Sequence, residues 1–277
     1  MSKITIDNVE KALPYLDKIN SFATKLEWVE PVYITAIKAH KVLIKDNTLT
    51  KNTYIDSMLL NSYNQSKTYS PIEHIHTRGE NIEITANHIA EVMLKNYPNL
   101  PDDDKKDLKD YMFYLFTEMM NNVVDHSQSS IGGYTMAQFY PTHKSIQFSI
   151  ADKGIGILEN VKYKENVSDE VEAIEKALEK GFTANKTNQL YGSAYRNAGY
   201  GLYVMSEIIK QVGGKFIIIS NNGLYRYNAL NNKTDRKILD YSLNGVLVAF
   251  EFKEEEINFS MQEMINILLQ EDEEDFY

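Results

Sequence analysis

The chain has no cysteine among its 277 residues, which excludes disulfides, thiolate metal sites and cysteine nucleophiles together. Proline and glycine are scarce, at 6 and 13 residues, and a composition of 43% hydrophobic and 25% charged residues is that of a folded protein rather than a disordered or fibrous one. No apolar run approaches the ~20 residues that a membrane-spanning helix needs. The opening "MSKITIDNVEK" also lacks the basic-then-apolar order of a signal peptide, so the expected location is the cytoplasm, with no membrane partner. Positive charge is not in excess: the formal net charge is −10 and no local basic patch interrupts it, so direct nucleic-acid binding is not expected. The densest charge run, "QEDEEDFY" at the end of the chain, reads as a solvated acidic tail.

What is present divides into pieces. Residues 1–65 read as a small α/β unit: an alternating "KITID", a helical "VEKALPYLDKINSF", then "LEWVEPVYITAIKAHKVLI", where Pro31 separates a strand-like run from a helix. Residues 66–104 form a polar connector with one helix near Ile84 to Lys95. Pro98, Pro101 and the aspartates at 102, 103 and 104 mark a boundary, the aspartates serving as caps and first-turn acids of the next helix. Residues 105–255 hold that long helix, the alternating strand "SIQFSIAD", a polar helix-prone stretch, the glycine-led helix "NAGYGLYVMSEIIKQVGG", and the strands "KFIIIS" and "GVLVAFEF". Residues 256–277 are an amphipathic helix, "SMQEMINILLQ", and the tail. Helices and strands mix without βαβ alternation, so the expected class is α+β, a sheet with helices on one face.

Within the long helix, "FTEMMNNVVDHS" places Glu118, Asn122 and His126 at four-residue spacing along the edge of a broad apolar face. Periodicity alone fits an ordinary wet edge as well as a working one. Against the former, the edge carries the poor helix formers Asn121, Asn122 and Asp125, and no Lys or Arg occurs between Asp110 and Lys144. Downstream, Asp152-Lys-Gly154-Ile-Gly156 ends a strand, where glycines permit close backbone approach and the aspartate can accept from an amino group. A third element, Asn197-Ala-Gly199-Tyr-Gly201-Leu202, opens a helix, whose free N–H groups suit a phosphate. Taken singly, the second and third also fit plain tight turns.

In this order, the three elements resemble the motifs of the GHKL ATPases, the Bergerat-fold superfamily of DNA gyrase, MutL, histidine kinases and anti-sigma-factor serine kinases, over residues 105 to 253 or so. The resemblance implies a Bergerat-type α/β sandwich, a mixed sheet covered by helices on one face, binding ATP with Mg²⁺. It places the catalytic base or water-orienting carboxylate at Glu118 and the Mg²⁺ ligand at Asn122. Asp152 would read the adenine amino group, with Gly154 and Gly156 letting the base lie close. Residues 157–198 would form a lid, one that lacks the family's obvious basic finger and offers Lys186 or Arg196 in its place, and Gly199, Gly201 and Leu202 would line the phosphates. His126 occupies the family's basic position, with a functional or a structural role open to it. The chain departs from the family in two motifs: Tyr203 stands where a glycine is usual, and Gly245-Val246 where a Gly-Thr pair is usual.

None of the six histidines is followed by an acidic residue, so histidine autokinase activity is not expected. With only the short stretch 256–277 after the last strand, the second domain of the gyrase and MutL types is not expected. His74 and His76 lack further ligands nearby and read as a solvated or structural pair. "LEWVEPVYITAIKAHKVL" resembles the strand-Pro-helix segment of STAS domains, which implies regulation by a protein partner. The expected function is a slow ATPase or serine/threonine-type protein kinase whose lid controls partner binding. The alternatives are a nucleotide-gated interaction module without significant turnover and a DNA-remodelling component acting through other subunits. The apolar side of "MQEMINILL" either covers its own core or binds a sister subunit in a homodimer.

Overall fold

A computed structural model describes residues 2–42, 50, 52–60, 68–76, 80–182, 201–253, 257, 260, 261, 263, 264 and 268. Along the chain, β1 (Lys3–Ile4) leads into two short 3₁₀ segments, Val9–Lys11 and Leu13–Lys18, and α1 (Ile19–Phe22). Pro14 lies in the second of these segments, where a proline ring is compatible with a first turn but not with a long α-helix. β2 (Trp28–Val29) pairs in parallel with β1. α2 (Pro31–Ala39) follows with Pro31 in its first turn, as the sequence predicts, and then α3 (Thr53–Leu59).

β3 (Glu73–Ile75), α4 (Glu80–Leu94) and α5 (Asp102–His126) come next. The aspartates at 102, 103 and 104 are first-turn acids, but the cap position is taken by Pro101, so their expected capping role is corrected. The antiparallel hairpin β4 (Gly133–Tyr140) and β5 (Ser145–Asp152) precedes α6 (Ile157–Val161), α7 (Glu170–Ala177) and α8 (Gly201–Gln211). β6 (Lys215–Ser220), β7 (Gly223–Asn228), β8 (Lys233–Ile238) and β9 (Val246–Lys253) complete a seven-stranded sheet in the order β3-β4-β5-β9-β6-β7-β8.

Every pairing in that sheet is antiparallel, so the protein is α+β but the sheet is not mixed. The reason is local: β4-β5 and β6-β7-β8 are hairpins, and β9 inserts between β5 and β6, antiparallel to both. The helix α5 turns Leu115, Phe116, Met119 and Val123 onto one sheet face, where Phe116 stacks on Phe148 at 4.4 Å and Phe148 on Phe250 at 5.2 Å. α4 and α8 supply the same core, and so do Met261, Met264 and Leu268 from the C-terminal stretch. Those three thus cover their own chain, while the acidic residues 271–277 lie outside the described residues.

The opposite face departs from expectation. Alternation in "SIQFSI" predicts a strand wet on one side, yet every residue of β5 is buried. α2 and its neighbours lie on that side, sharing one apolar cluster with Met136, Ala151, Ile217, Ile219, Leu247 and Ala249. Helices therefore cover both faces, not one. Two polar side chains of β5 find partners across this layer: Ser149 exchanges a hydrogen bond with Thr35 at 2.7 Å, and Gln147 donates to Glu30 at 2.8 Å. No helix among the described residues is long and apolar enough to cross a membrane.

Candidate functional site

The apolar face of α5 fixes the helix's rotation, and this leaves Glu118 and Asn122 half-buried on the side that meets the start of α8. The meeting is close. A methyl group added to Gly201, the first residue of α8, would lie 2.7 Å from Glu118 Oε2 and 3.6 Å from Asn122 Nδ2. Only a glycine lets the two helices approach this far without moving the carboxylate. The N–H groups of a helix's first turn have no partners within the helix, so the Glu118 carboxylate and the α8 N-terminus are electrostatically matched. Asn122 Nδ2 is buried and has no hydrogen-bond partner. His126 closes α5, and its backbone carbonyl accepts from the Asn160 amide at 2.9 Å.

A second group of residues gathers at the end of β5. Asp152 is 3% exposed, and burial raises its carboxyl from the usual 3.8 to about 7, against the smaller opposing pull of the Val246 and Gly154 backbone N–H groups. Its Oδ1 is buried without a hydrogen-bond partner. Gly154 sits so close to the end of α5 that an added methyl would come within 2.1 Å of the Ser127 carbonyl oxygen, and the Ile155 N–H donates to that same oxygen at 2.9 Å. Gly156 has φ +86°, and a methyl there would lie 2.1 Å from Asn221 Nδ2. Both glycines therefore make room for the chain's own groups, Ser127 and Asn221, which ties the turn to α5 and to the sheet.

The raised Asp152 carboxyl has a consequence for stability. Where a folded acid holds its proton more tightly than the unfolded one, stability is fullest below the unfolded value and is lost as pH rises through the folded one. Relative to Asp152→Asn, the native chain is expected to lose stability between about pH 4 and pH 7, and urea midpoints of the two proteins at pH 5 and pH 8 measure it.

Sequence reasoning missed the residues that hold this turn in place. Glu170, in the first turn of α7, is 4% exposed and fully engaged. It accepts from the Ser220 hydroxyl at 2.6 Å, the Asn221 amide at 2.6 Å and the Leu158 N–H at 3.2 Å. Ser220 in turn accepts from the Ile157 N–H at 2.7 Å, and Asn221 donates to the Ile155 carbonyl at 3.0 Å and accepts from the Gly245 N–H at 3.1 Å. One carboxylate thus joins α6, α7, the β6-β7 turn and the start of β9. The only sequence signal was Asn221-Asn222-Gly223, which reads as a hairpin turn and gives no hint of a buried acid 50 residues away.

Glu118, Asn122 and Gly201 are therefore brought together, and Asp152, Gly154 and Gly156 form an adjoining turn. Leu202 is half-buried and packs against the main core. Gly199, Lys186 and Arg196 lie outside the described residues. His74 and His76 lie 3.4 Å apart between ring centres, with His74 stacked on Tyr134, and no group of three or more His, Asp or Glu among the described residues is arranged to hold a metal ion. No protein-family model matches the chain, and no curated protein matches it.

Proposed function

We propose that the chain is an ATP-binding regulatory protein of the GHKL type, a slow ATPase or serine/threonine-type protein kinase built on a Bergerat-like α/β sandwich. The observation that carries this reading is the seat of Gly201 against Glu118 and Asn122, because it joins two elements that the sequence separates by about 80 residues. Two buried polar atoms without partners, Asn122 Nδ2 and Asp152 Oδ1, support it, since each such atom costs about 1–3 kcal/mol and asks for a ligand group.

Asp152 Oδ1 is an acceptor suited to the exocyclic amino group of adenine. Asn122 would hold Mg²⁺ through its amide oxygen, where the ion supplies positive charge to the phosphates. The amide's two ends are interchangeable by rotation, so the orphaned Nδ2 fits such a role. Glu118 would orient the attacking water or hydroxyl and take its proton, a task for a carboxylate placed beside, not within, the phosphate-binding turn. The α8 N-terminus would meet phosphate oxygens with its free N–H groups.

The Glu170 hydrogen bonds favour a second reading, nucleotide gating of partner binding without significant turnover, because they link the helices between β5 and α8 to the Asp152 turn. Mg²⁺-ATP binding and phosphate release distinguish the two. Asn122→Ala is expected to remove the Mg²⁺ dependence of ATP binding under either reading. Phosphate release above background by the native chain supports turnover, and its absence leaves gating.

A further inference from the structure

At the end of the sheet opposite Asp152, a cleft of about 880 Å³ opens between the N-terminal layer and the ends of the strands. This is within the size range of small-ligand sites, roughly 300–1,000 Å³. Its walls are aromatic: Trp28 stacks on Tyr54 with ring centres 6.1 Å apart and leans on Tyr140 at 6.2 Å. Hydroxyls of Thr5, Thr68, Thr142 and Ser145 and the ammonium groups of Lys215 and Lys253 line it too, but two of its buried side chains, Glu30 and Gln138, present acceptors that no donor reaches among the described residues. Glu30, 9% exposed, uses Oε2 to accept from the Ile6 N–H at 2.7 Å and the Gln147 amide at 2.8 Å, and no hydrogen bond reaches its Oε1 among the described residues. Gln138, 1% exposed, has an Oε1 without a partner, and its amide nitrogen makes only a long contact of 3.5 Å with the Tyr54 hydroxyl. Lys215, on the rim, is already committed to Asp7 at 2.9 Å and Glu251 at 3.6 Å.

We propose that this cleft binds a small organic cation bearing N–H donors, a guanidinium or primary ammonium head that lies against Trp28 and Tyr140 and donates to Glu30 and Gln138. Buried acceptors without donors are costly, and a cation over an aromatic face gains further from the ring's negative quadrupole. An anion would meet three carboxylates, Glu30, Glu251 and Asp7, against the two lysines Lys215 and Lys253, and an apolar ligand would leave the acceptors unpaired. Burial raises the Glu30 carboxyl from 4.5 to about 7, against the hydrogen bonds from Gln147 and the Ile6 N–H and with a smaller push from Glu251. A bound cation reverses this by favouring the carboxylate, so binding near pH 6.5 expels a proton. The site is independent of the nucleotide reading and stands or falls separately from it.

The test is calorimetric titration of the full chain with agmatine, in two buffers of different ionisation enthalpy so that proton release is counted. Native protein is expected to bind agmatine with proton release. Glu30→Gln, which keeps an acceptor for the Ile6 N–H, is expected to abolish the release and weaken binding about tenfold or more, the worth of a charge-assisted hydrogen bond. Gln138→Met is expected to weaken binding about threefold to tenfold without touching the proton count, and it decides the matter if Glu30→Gln does not fold. Tetramethylammonium, which has the charge but no N–H, is expected to bind at least about tenfold more weakly. Absence of agmatine binding, equal binding by native and variant proteins, or equal binding of tetramethylammonium would each overturn the proposal.

Discussion

Glu118→Gln is expected to lower phosphate release from ATP by about 100-fold to 10,000-fold, the usual contribution of a positioned general base. ATP affinity should stay within about threefold of native, because an interaction made only in the transition state leaves ground-state binding alone. Glutamine keeps the shape of the side chain, so its contact with Gly201 survives and the start of α8 keeps its place. What it loses is the ability to accept a proton. Single-turnover measurements with radiolabelled ATP separate the two quantities. Unchanged phosphate release from a variant that still binds ATP would remove Glu118 from the chemistry, and where native release is itself at background it leaves the gating reading.

Gly245→Val is expected to cost more than about 4 kcal/mol, enough to unfold a marginal domain, since it combines a disallowed backbone conformation with a clash that cannot relax. Gly245 has φ +141°, and an added Cβ would lie 2.2 Å from the Asp152 carbonyl oxygen and 2.9 Å from the Lys153 Cα. Both are backbone atoms at the end of β5, where Asp152 is paired with Gly133 of β4. Gly213 is the control. It also has positive φ, +63°, but nothing lies within 4 Å of its would-be Cβ, so Gly213→Ala should cost only about 1–2 kcal/mol, the left-handed backbone penalty. Urea midpoints of the two variants test the contrast.

The stripe on α5 was legible in the sequence because helical periodicity fixes which residues share an edge. What faced that edge was not legible, since Gly201 arrives from a different helix. The glycines of the Asp152 turn were legible as a turn, but their neighbours, Ser127 and Asn221, come from elements far along the chain. β5 shows a different limit. Its polar residues alternate as in a strand facing water, and they are nevertheless buried because α2 covers them and supplies partners such as Thr35 and Glu30. Periodicity reports which side of a strand is polar, and tertiary packing decides whether that side is wet. β8 was missed for the opposite reason. "KTDRKI" is polar or charged at nearly every position, as suits an edge strand exposed to solvent, and offers no apolar alternation to read.

The central claim, that Asp152 and Asn122 serve an adenine nucleotide, is tested most directly by equilibrium dialysis of the native chain against ATP and GTP, each with Mg²⁺ and with EDTA. Retention of ATP that depends on Mg²⁺, with GTP at least about tenfold weaker, is the expected result, because Asp152 Oδ1 needs an amino group where guanine carries a carbonyl oxygen. No retention of ATP at millimolar concentration, or equal retention of both nucleotides, would contradict it.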